Sequence, residues 1–362
     1  MNIVFRADAS LDIGTGHIVR CLTLAQRLRE FGAKCTFVCR EHRGNLIAMI
    51  RQRGFAALAL PAAENNSSGG DEGGGHSAWL GASWQTDAQQ CLAALDGMHA
   101  DWLIVDHYAL GADWQRCLRA ACDRVMVIDD LADRAHDCDL LLDQNLGRQR
   151  GDYAGLVPDA CRILVGPRHA LLRAEFPTLR EASLARRAQP QLRHLLVSMG
   201  GVDKDNVTGR VLEALQAAAL PADLRITVVM GATAPWLAEV RERAAGMPRA
   251  TAVRVDVTDM ADLMADSDLA IGAAGTTAWE RCCLGLPTLI VVLADNQRQG
   301  AAALQAAGAA LIVNGGADLA EDLQSKFAMC TAPAVLGLMQ AASSAITDGR
   351  GLSDLLAVLG DE

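Results

Sequence analysis

The sequence predicts an α/β fold built from two Rossmann-like domains. An apolar run at residues 2–5 is typical of a β-strand, and it is followed by a glycine turn at residues 14–16 and by a segment with apolar residues at helical spacing. The same order of strand, glycine turn and helix begins again at Arg193. Hydrophobic residues make up 51% of the chain but aromatic residues only 4%, which suits buried parallel strands covered by alanine-rich helices.

The first domain is predicted to span residues 1–176. Apolar runs that predict strands alternate there with amphipathic segments that predict helices. The strands are expected at 2–5, 34–39, 56–60, 101–106, 124–130, 139–143 and 162–165, and the helices at 18–28, 45–54, 87–96 and 114–122. Residues 64–75 consist mainly of Gly, Ser, Asn and Glu, which cannot form a core, so we expect a flexible insertion there.

The second domain is predicted to span residues 192–350, after a basic, alanine-rich linker at 177–191. Its strands are expected at 193–199, 224–230, 252–255, 268–272 and 288–292, alternating with helices. Residues 351–362 are predicted to be a C-terminal helix that returns to the first domain. We expect the two domains to face each other across a cleft at their glycine-turn edges, where ligands bind in such sheets.

Charge and composition argue against several classes of function. The net charge of −10 makes nucleic acid and anionic membrane surfaces unexpected partners. No apolar stretch approaches the roughly 18 residues of a membrane span. The 11 cysteines include no Cys-x-x-Cys pair, and the 8 histidines show no ligand spacing relative to them. We therefore expect free thiols in a cytoplasmic protein that is a monomer or a weak dimer, with no metal and no cofactor.

The first glycine turn carries a candidate catalytic residue. Gly14 and Gly16 allow a sharp turn and a close approach of a ligand to the backbone, and His17 and Arg20 follow them in the helix. An imidazole at this place can act as a base near neutral pH. The alternative is that His17 is a capping or half-buried helix residue.

The second domain offers two glycine turns as candidate binding sites. Gly200 and Gly201 follow its first strand. Gly275, Thr276 and Thr277 follow a later strand, and their N–H and hydroxyl groups could hold a diphosphate. Glu280, one helical turn further on, could accept the hydroxyls of a ribose; its alternative role is in a capping box with Thr277.

Polar residues at other strand ends complete the set of candidates. Tyr108 follows a buried strand, and its alternative role is packing on the next helix. Asn296 and Gln297 follow another strand, where Asn296 could instead cap the next helix. The pair Asp129–Asp130 could suggest a metal site, but a solvated pair at a strand end is the preferred interpretation.

Several motifs, in order over nearly the whole chain, resemble one family, the UDP-2,4-diacetamido-2,4,6-trideoxy-β-L-altropyranose hydrolases of pseudaminic acid biosynthesis. The opening signature is Arg6-x-Asp8 followed by Ile13-Gly-x-Gly-His-x-x-Arg20-Cys21-Leu-x-Leu-Ala25. The other matching stretches are Trp79-Leu-Gly81-Ala-Ser-Trp84 with Asp87, Val105-Asp106-His107-Tyr108, Ile128-Asp129-Asp130, Gly166-Pro167, Leu171-Leu172-Arg173-Ala-Glu175-Phe176, Ser198-Met-Gly-Gly-x-Asp203 with Asn206, and Gly272-x-x-Gly-x-Thr-x-Trp-Glu280. A more distant similarity links the chain to MurG-like glycosyltransferases of the GT-B fold.

The resemblance implies the hydrolysis of a UDP-linked sugar. Water would attack the anomeric carbon, and UDP would leave with inversion of configuration. By analogy with the family, His17 would be the general base, and Tyr108 and Asn296 would belong to the sugar site. The helix that contains Glu280 resembles the uridine and diphosphate site. The insertion at 64–75 departs from the family pattern but lies outside every matched motif.

Three functions are consistent with these observations. The chain could be the hydrolase, a glycosyltransferase that passes the sugar to an acceptor other than water, or a catalytically silent protein that binds nucleotide sugars. The first domain lacks an exposed apolar and basic run of the kind expected in transferases with membrane acceptors, which favours the hydrolase. The presence of His17 and its neighbours argues against a silent protein.

Overall fold

A computed structural model describes residues 1–62, 76–293 and 297–360. The predicted insertion at 64–75 and the candidate Asn296 lie outside the described residues. The chain forms two compact units: one comprises Met1–Leu171 and the residues from Leu352 onward, and the other comprises Leu172–Gly351. The α/β fold class predicted from the sequence is confirmed, because each unit is built on one parallel sheet with helices.

The first unit contains a seven-stranded sheet of order β3-β2-β1-β4-β5-β6-β7. All of its neighbouring strands are parallel. The strands are β1 (Asn2–Ala7), β2 (Lys34–Arg40), β3 (Ala56–Leu60), β4 (Ala100–Asp106), β5 (Cys122–Ile128), β6 (Leu140–Asp143) and β7 (Arg162–Val165). The helices are α1 (Gly16–Glu30), α2 (Ile47–Gln52), α3 (Trp84–Leu95) and α4 (Ala112–Leu118).

Apolar side chains cover both faces of this sheet. Because successive side chains of a strand point to opposite faces, Ile3 and Phe5 of β1 belong to one core and Val4 to the other. The first core also contains Leu355 and Leu359, which come from the C-terminal helix. The C-terminal segment thus packs on the first unit.

The carboxyl ends of the central strands bring acidic residues to one edge of the sheet. Ala7, the last residue of β1, is in register with Asp106, the last residue of β4. Asp8 and Asp129 directly follow β1 and β5. This edge is the one that α/β folds use for ligands.

The second unit contains a six-stranded parallel sheet of order β10-β9-β8-β11-β12-β13. The strands are β8 (His194–Ser198), β9 (Arg225–Met230), β10 (Thr251–Val255), β11 (Leu269–Ala273), β12 (Thr288–Val291) and β13 (Ala310–Val313). The helices are α5 (Glu175–Arg186), α6 (Val207–Gln216), α7 (Leu237–Ala245), α8 (Met260–Asp266), α9 (Thr277–Cys283), α10 (Arg298–Ala306), α11 (Leu319–Cys330) and α12 (Pro333–Ser344). The last helix of the chain is α13 (Gly351–Gly360).

Helix α5 occupies most of the segment 177–191, which the sequence suggested as a linker. It lies within the second unit. Two arginines hold the helix there through backbone carbonyls: Arg180, within the helix, donates to Ser344 O at 2.7 Å, and the buried Arg187, directly after it, donates to Ser267 O at 2.6 Å. A basic helix can be anchored in this way because guanidinium groups satisfy carbonyls at helix and strand ends.

All 11 cysteines are free, as the spacing predicted, and all but Cys117 and Cys161 are buried. Within the described ranges, no single helix is long and apolar enough to cross a membrane, although the bent pair α11 and α12 together meets the length and composition criteria.

Candidate functional site

The first glycine turn is a tight backbone loop that ends where α1 begins. Gly14 has a φ of 80°, in the left-handed region that favours glycine, and its N–H donates to Ser10 O at 2.9 Å. Helix α1 begins at Gly16, earlier than the apolar periodicity predicted. A Cβ atom added at Gly14 or Gly16 would meet no atom within 4 Å, so both positions face open space.

His17 lies at the start of α1 and contacts the carboxylate at the end of β4. The distance from His17 Nδ1 to Asp106 Oδ1 is 2.6 Å. Arg20, one helical turn after His17, binds both oxygens of the same carboxylate, at 2.6 Å from Nε to Oδ2 and at 2.7 Å from Nη2 to Oδ1. The His17 and Arg20 side chains are nearly buried, and that of Asp106 is fully buried.

This arrangement keeps Asp106 ionised and favours one tautomer of His17. Burial by itself would raise the pKa of Asp106, but the neighbouring Arg20 and His17 lower it far below its usual range. An ionised carboxylate beside Nδ1 favours the tautomer with the proton on Nδ1. The Nε2 atom of His17 is then the proton acceptor, which a general base requires.

Tyr108 lies against the ring of His17 and belongs to the same polar network. Its ring meets that of His17 edge to face, with centroids 4.7 Å apart. Its hydroxyl donates to Asp130 Oδ2 at 2.6 Å, and the same oxygen lies 2.8 Å from Arg20 Nη2. The structure thus brings together three residues predicted from the sequence, His17, Arg20 and Tyr108.

Two further aromatic residues extend this cluster. Trp79 stacks on Tyr108 with ring centroids 5.6 Å apart, and the ring of His76 lies 4.6 Å from that of Trp79. Trp79 is half-buried. Aromatic faces of this kind can contact the apolar parts of a sugar.

A buried network of ion pairs and hydrogen bonds centres on Asp87 in the first unit. Asp87 is fully buried and accepts from Arg6 at 2.7 Å, from Arg40 at 2.7 Å and from Trp114 Nε1 at 3.0 Å. Arg6 also pairs with Asp8 at 2.7 Å. The motif residues Arg6, Asp8 and Asp87 are therefore part of the buried interior of the first unit.

The expectation of a solvated pair at Asp129–Asp130 is wrong for Asp129. That carboxylate is fully buried, accepts from Ala132 N at 2.7 Å, and pairs with Arg134 at 2.9 Å. The residues that follow β5 fold back over its end and supply these donors, so the side chain is removed from solvent. Among the residues with described positions, no group of three or more His, Cys, Asp or Glu side chains could hold a metal ion.

In the second unit, the turn after β8 is defined by two glycines. Gly200 has a φ of 98°, which favours glycine. The carbonyl of Gly201 accepts from Gly231 N at 3.1 Å. A Cβ atom at Gly200 or Gly201 would meet no atom within 4 Å, so this turn also leaves space beside its backbone.

The turn after β11 leads into α9, and Glu280 lies in that helix. Thr277 is the first residue of the helix and not its N-cap, and the N-cap Thr276 makes no side-chain cap hydrogen bond, so Glu280 does not stand in the capping box proposed with Thr277. Glu280 Oε1 instead lies 3.3 Å from Arg173 Nη2. Burial raises the pKa of Glu280, and Arg173 opposes that rise. A Cβ atom added at Gly275 would meet no atom within 4 Å.

Gln297 directly precedes α10. Its Oε1 atom accepts from Leu293 N at 3.2 Å, which ties together the two ends of the segment that joins β12 to α10. The neighbouring candidate Asn296 lies outside the described residues.

Asp106, which contacts His17, is the candidate residue of this site that the sequence did not single out. It was part of a matched motif, but its partnership with His17 depends on β1 and β4 being neighbours. The signal in the sequence was an acidic residue at the end of an apolar run. That pattern fits an ion pair as well as a solvated strand end.

The two parallel sheets, with glycine turns at the carboxyl ends of their strands, define a protein of the GT-B fold type. The crystal structure of MurG from Acinetobacter baumannii has a TM-score of 0.69 to this chain and 15% sequence identity, and the match covers 99% of each chain. Residues 194–347 match the profile of the glycosyltransferase family 28 C-terminal domain.

The resemblance to UDP-2,4-diacetamido-2,4,6-trideoxy-β-L-altropyranose hydrolases is also confirmed. The enzyme of that name from Campylobacter jejuni is 26% identical over 302 residues, which are 83% of this chain and 95% of that protein. The spore coat polysaccharide biosynthesis protein SpsG of Bacillus subtilis is 23% identical over 366 aligned residues, covering 100% of this chain and 98% of that protein. An uncharacterized protein of Methanocaldococcus jannaschii is 24% identical over 303 residues, and the match spans 83% of this chain but only 57% of the archaeal protein.

Proposed function

We propose that this protein hydrolyses UDP-2,4-diacetamido-2,4,6-trideoxy-β-L-altropyranose to UDP and the free sugar, with water as the only co-substrate. The observation that carries the proposal is the contact between His17 and Asp106, 2.6 Å from Nδ1 to Oδ1, beside a backbone turn with open space. The relative of that name from Campylobacter jejuni supports the choice of substrate.

In the proposed reaction, His17 is the general base. Its Nε2 atom takes a proton from water while the water oxygen forms a bond to the anomeric carbon. The bond between that carbon and the β-phosphate oxygen breaks, and its electron pair leaves with UDP. Because water attacks the face opposite the leaving group, the configuration at the anomeric carbon inverts.

Asp106 stabilises the imidazolium that this step produces. Its carboxylate remains ionised because Arg20 binds both of its oxygens. The positive charge on His17 therefore forms beside a fixed negative charge, as in other histidine–carboxylate pairs. Tyr108, held by Asp130, keeps the imidazole ring in place through its edge-to-face contact.

The second unit is proposed to hold UDP. Gly275, Thr276 and Thr277 offer N–H and hydroxyl donors for the diphosphate, and Gly200 and Gly201 offer a second glycine turn at the same sheet edge. Glu280 is proposed to accept the ribose hydroxyls. We further propose that the substrate is contacted by Gly14, Gly16, Arg20, Asn296 and Gln297.

The experiment that tests the proposal measures UDP release from the UDP-sugar without any acceptor. Wild-type protein should release UDP, and H17L should lose at least about a hundredfold in kcat, the scale of general base catalysis. UDP binding by H17L should stay close to that of wild type. H99L is the matched control, because His99 belongs to the same unit but pairs with Asp123 on the surface.

Two outcomes would contradict the proposal. If wild-type protein releases no UDP without an acceptor, the hydrolase function is wrong. If H17L retains most of the activity, His17 is not the base.

The second candidate function is transfer of the sugar to an acceptor other than water. The match of residues 194–347 to the glycosyltransferase family 28 C-terminal domain favours this candidate. In that case, UDP release should depend on added acceptor rather than proceed in buffer alone. The acceptor-free assay therefore separates the two functions.

A further inference from the structure

We propose that Arg281 is a positioning residue whose buried positive charge prepares the turn at residues 273–277 for the diphosphate of the nucleotide. The proposal rests on the proposed function, which places the diphosphate at this turn. It adds a residue that none of the sequence patterns singled out for binding.

Arg281 binds the first and the last residue of the turn, Ala273 and Thr277. The guanidinium donates to the carbonyl of Ala273 at 2.6 Å from Nη2, and to the hydroxyl of Thr277 at 3.3 Å from Nη1. Arg281 is only 2% exposed. Its two hydrogen bonds therefore connect the end of β11 to the first residue of α9.

Within the described part of the chain, Arg281 forms no ion pair with a carboxylate, and its Nε atom is buried without a hydrogen-bond partner. Burial lowers the pKa of Arg281 to about 10, and the nearby Cys282 and Glu280 only partly oppose this. A buried cation without a counter-charge is costly, which makes an anion at the adjacent turn favourable.

Gly272 shows that the backbone is shaped around this side chain. A Cβ atom added at Gly272 would lie 2.7 Å from Arg281 Nη1 and 2.9 Å from Ser198 O. A side chain at this position would therefore displace the guanidinium and also press on the backbone at the end of β8.

The competing explanation is that Arg281 only stabilises the fold by satisfying carbonyl groups. Arg187 provides the comparison within the same unit. It is 4% exposed, donates to Met264 O and Ser267 O at 2.6 Å each, and burial lowers its pKa to about 9. Its partners lie in and after α8, before β11 begins, whereas those of Arg281 belong to the turn after β11.

The test compares the dissociation constants of UDP and of uridine, which lacks phosphate, by isothermal titration calorimetry. The R281M variant replaces the charge with an apolar chain of similar length. It should weaken UDP binding by at least about tenfold and change uridine binding by less than about twofold, because only the diphosphate interacts with the charge. R187M should leave the ratio of the two constants as in wild type.

The R281K variant keeps the charge but cannot hold both sides of the turn at once. Its UDP affinity should lie between those of wild type and R281M, again with uridine binding unchanged. If R281M does not fold, R281K decides the question. A variant that weakens UDP and uridine equally, or neither, would overturn the role of Arg281. Wild-type protein that binds neither compound would instead contradict the proposed function itself.

Discussion

The Nδ1 atom of His17 lies 2.6 Å from Oδ1 of Asp106, and Arg20 binds both oxygens of that carboxylate. The two residues are 89 positions apart in the chain. They meet because β1, which leads to α1 and His17, pairs with β4, which ends at Asp106. This relationship distinguishes His17 from a capping residue, because the carboxylate orients the imidazole and leaves Nε2 as the acceptor.

Replacement of Asp106 by Asn should impair catalysis, and Arg20 keeps a carboxylate partner in Asp130 at 2.8 Å, so we expect the protein to remain folded. An amide NH2 group facing Nδ1 would favour the tautomer with the proton on Nε2, which cannot accept a proton from water. We expect kcat to fall by about 10²- to 10⁴-fold while the dissociation constant of UDP changes little. The D123N variant, which alters the exposed His99–Asp123 pair, should have wild-type kinetics. A D106N enzyme with normal kcat would show that the contact is structural.

Replacement of Tyr108 by Phe should have a smaller effect on catalysis. The ring that contacts His17 remains, but the hydrogen bond from the hydroxyl to Asp130 is lost. We expect kcat to fall by about tenfold, the cost of one hydrogen bond to a charged group. Steady-state kinetics with the UDP-sugar measure this change. A decrease as large as that of H17L would instead assign Tyr108 a direct chemical role.

Replacement of Asp87 by Asn should destabilise the first unit. The fully buried carboxylate is shared by Arg6 and Arg40, and its loss leaves two buried guanidinium groups short of negative charge. We expect the free energy of unfolding to fall by about 3–5 kcal/mol, as measured by urea denaturation. D113N is the control, since Asp113 pairs with Arg116 on the surface and its loss should cost at most about 1 kcal/mol. Equal stabilities would show that the network is not coupled as the distances indicate.

Stability should fall at mildly acidic pH because His107 is buried as a neutral residue. Burial lowers its pKa to about 3, and the opposing charge of Asp8 only partly restores it. The unfolded chain binds a proton near pH 6.5, whereas the folded chain does not, so this contribution to stability is present above about pH 6.5 and is lost as the pH falls from there toward about 3.

For this residue we expect a loss of about 1 kcal/mol between pH 7.5 and pH 5.5. Urea denaturation at both pH values measures it. In the H107N variant, the amide oxygen can accept from Ala109 N as His107 Nδ1 does at 3.1 Å, and the pH dependence should become shallower. An unchanged dependence in H107N would contradict this assignment.

The fold was predictable because both halves show strand, glycine turn and helix patterns with strong apolar periodicity. The strands and the four helices of the first domain were predicted within a few residues, whereas β13 was not predicted. The helix α5 was not predicted, because the basic, alanine-rich composition of 177–191 was interpreted as a linker, whereas Arg180 and Arg187 donate to carbonyl groups of the second unit.

The candidate site was predictable only in part. His17 and Tyr108 stood out through their positions after a glycine turn and a strand end. Asp106 and Arg281 did not stand out, because their contacts depend on strand order and on burial, which no local pattern encodes. Asp129 was misassigned as solvated because no local pattern shows that the residues after it, Ala132 and Arg134, fold back over its carboxylate.

The most direct test of the central claim is hydrolysis of the UDP-sugar in water enriched in ¹⁸O, without acceptor, with mass spectrometry of both products. Attack of water on the anomeric carbon predicts one ¹⁸O atom in the free sugar at early times and none in UDP. The label in the β-phosphate of UDP, or no release of UDP at all, would contradict the proposed reaction.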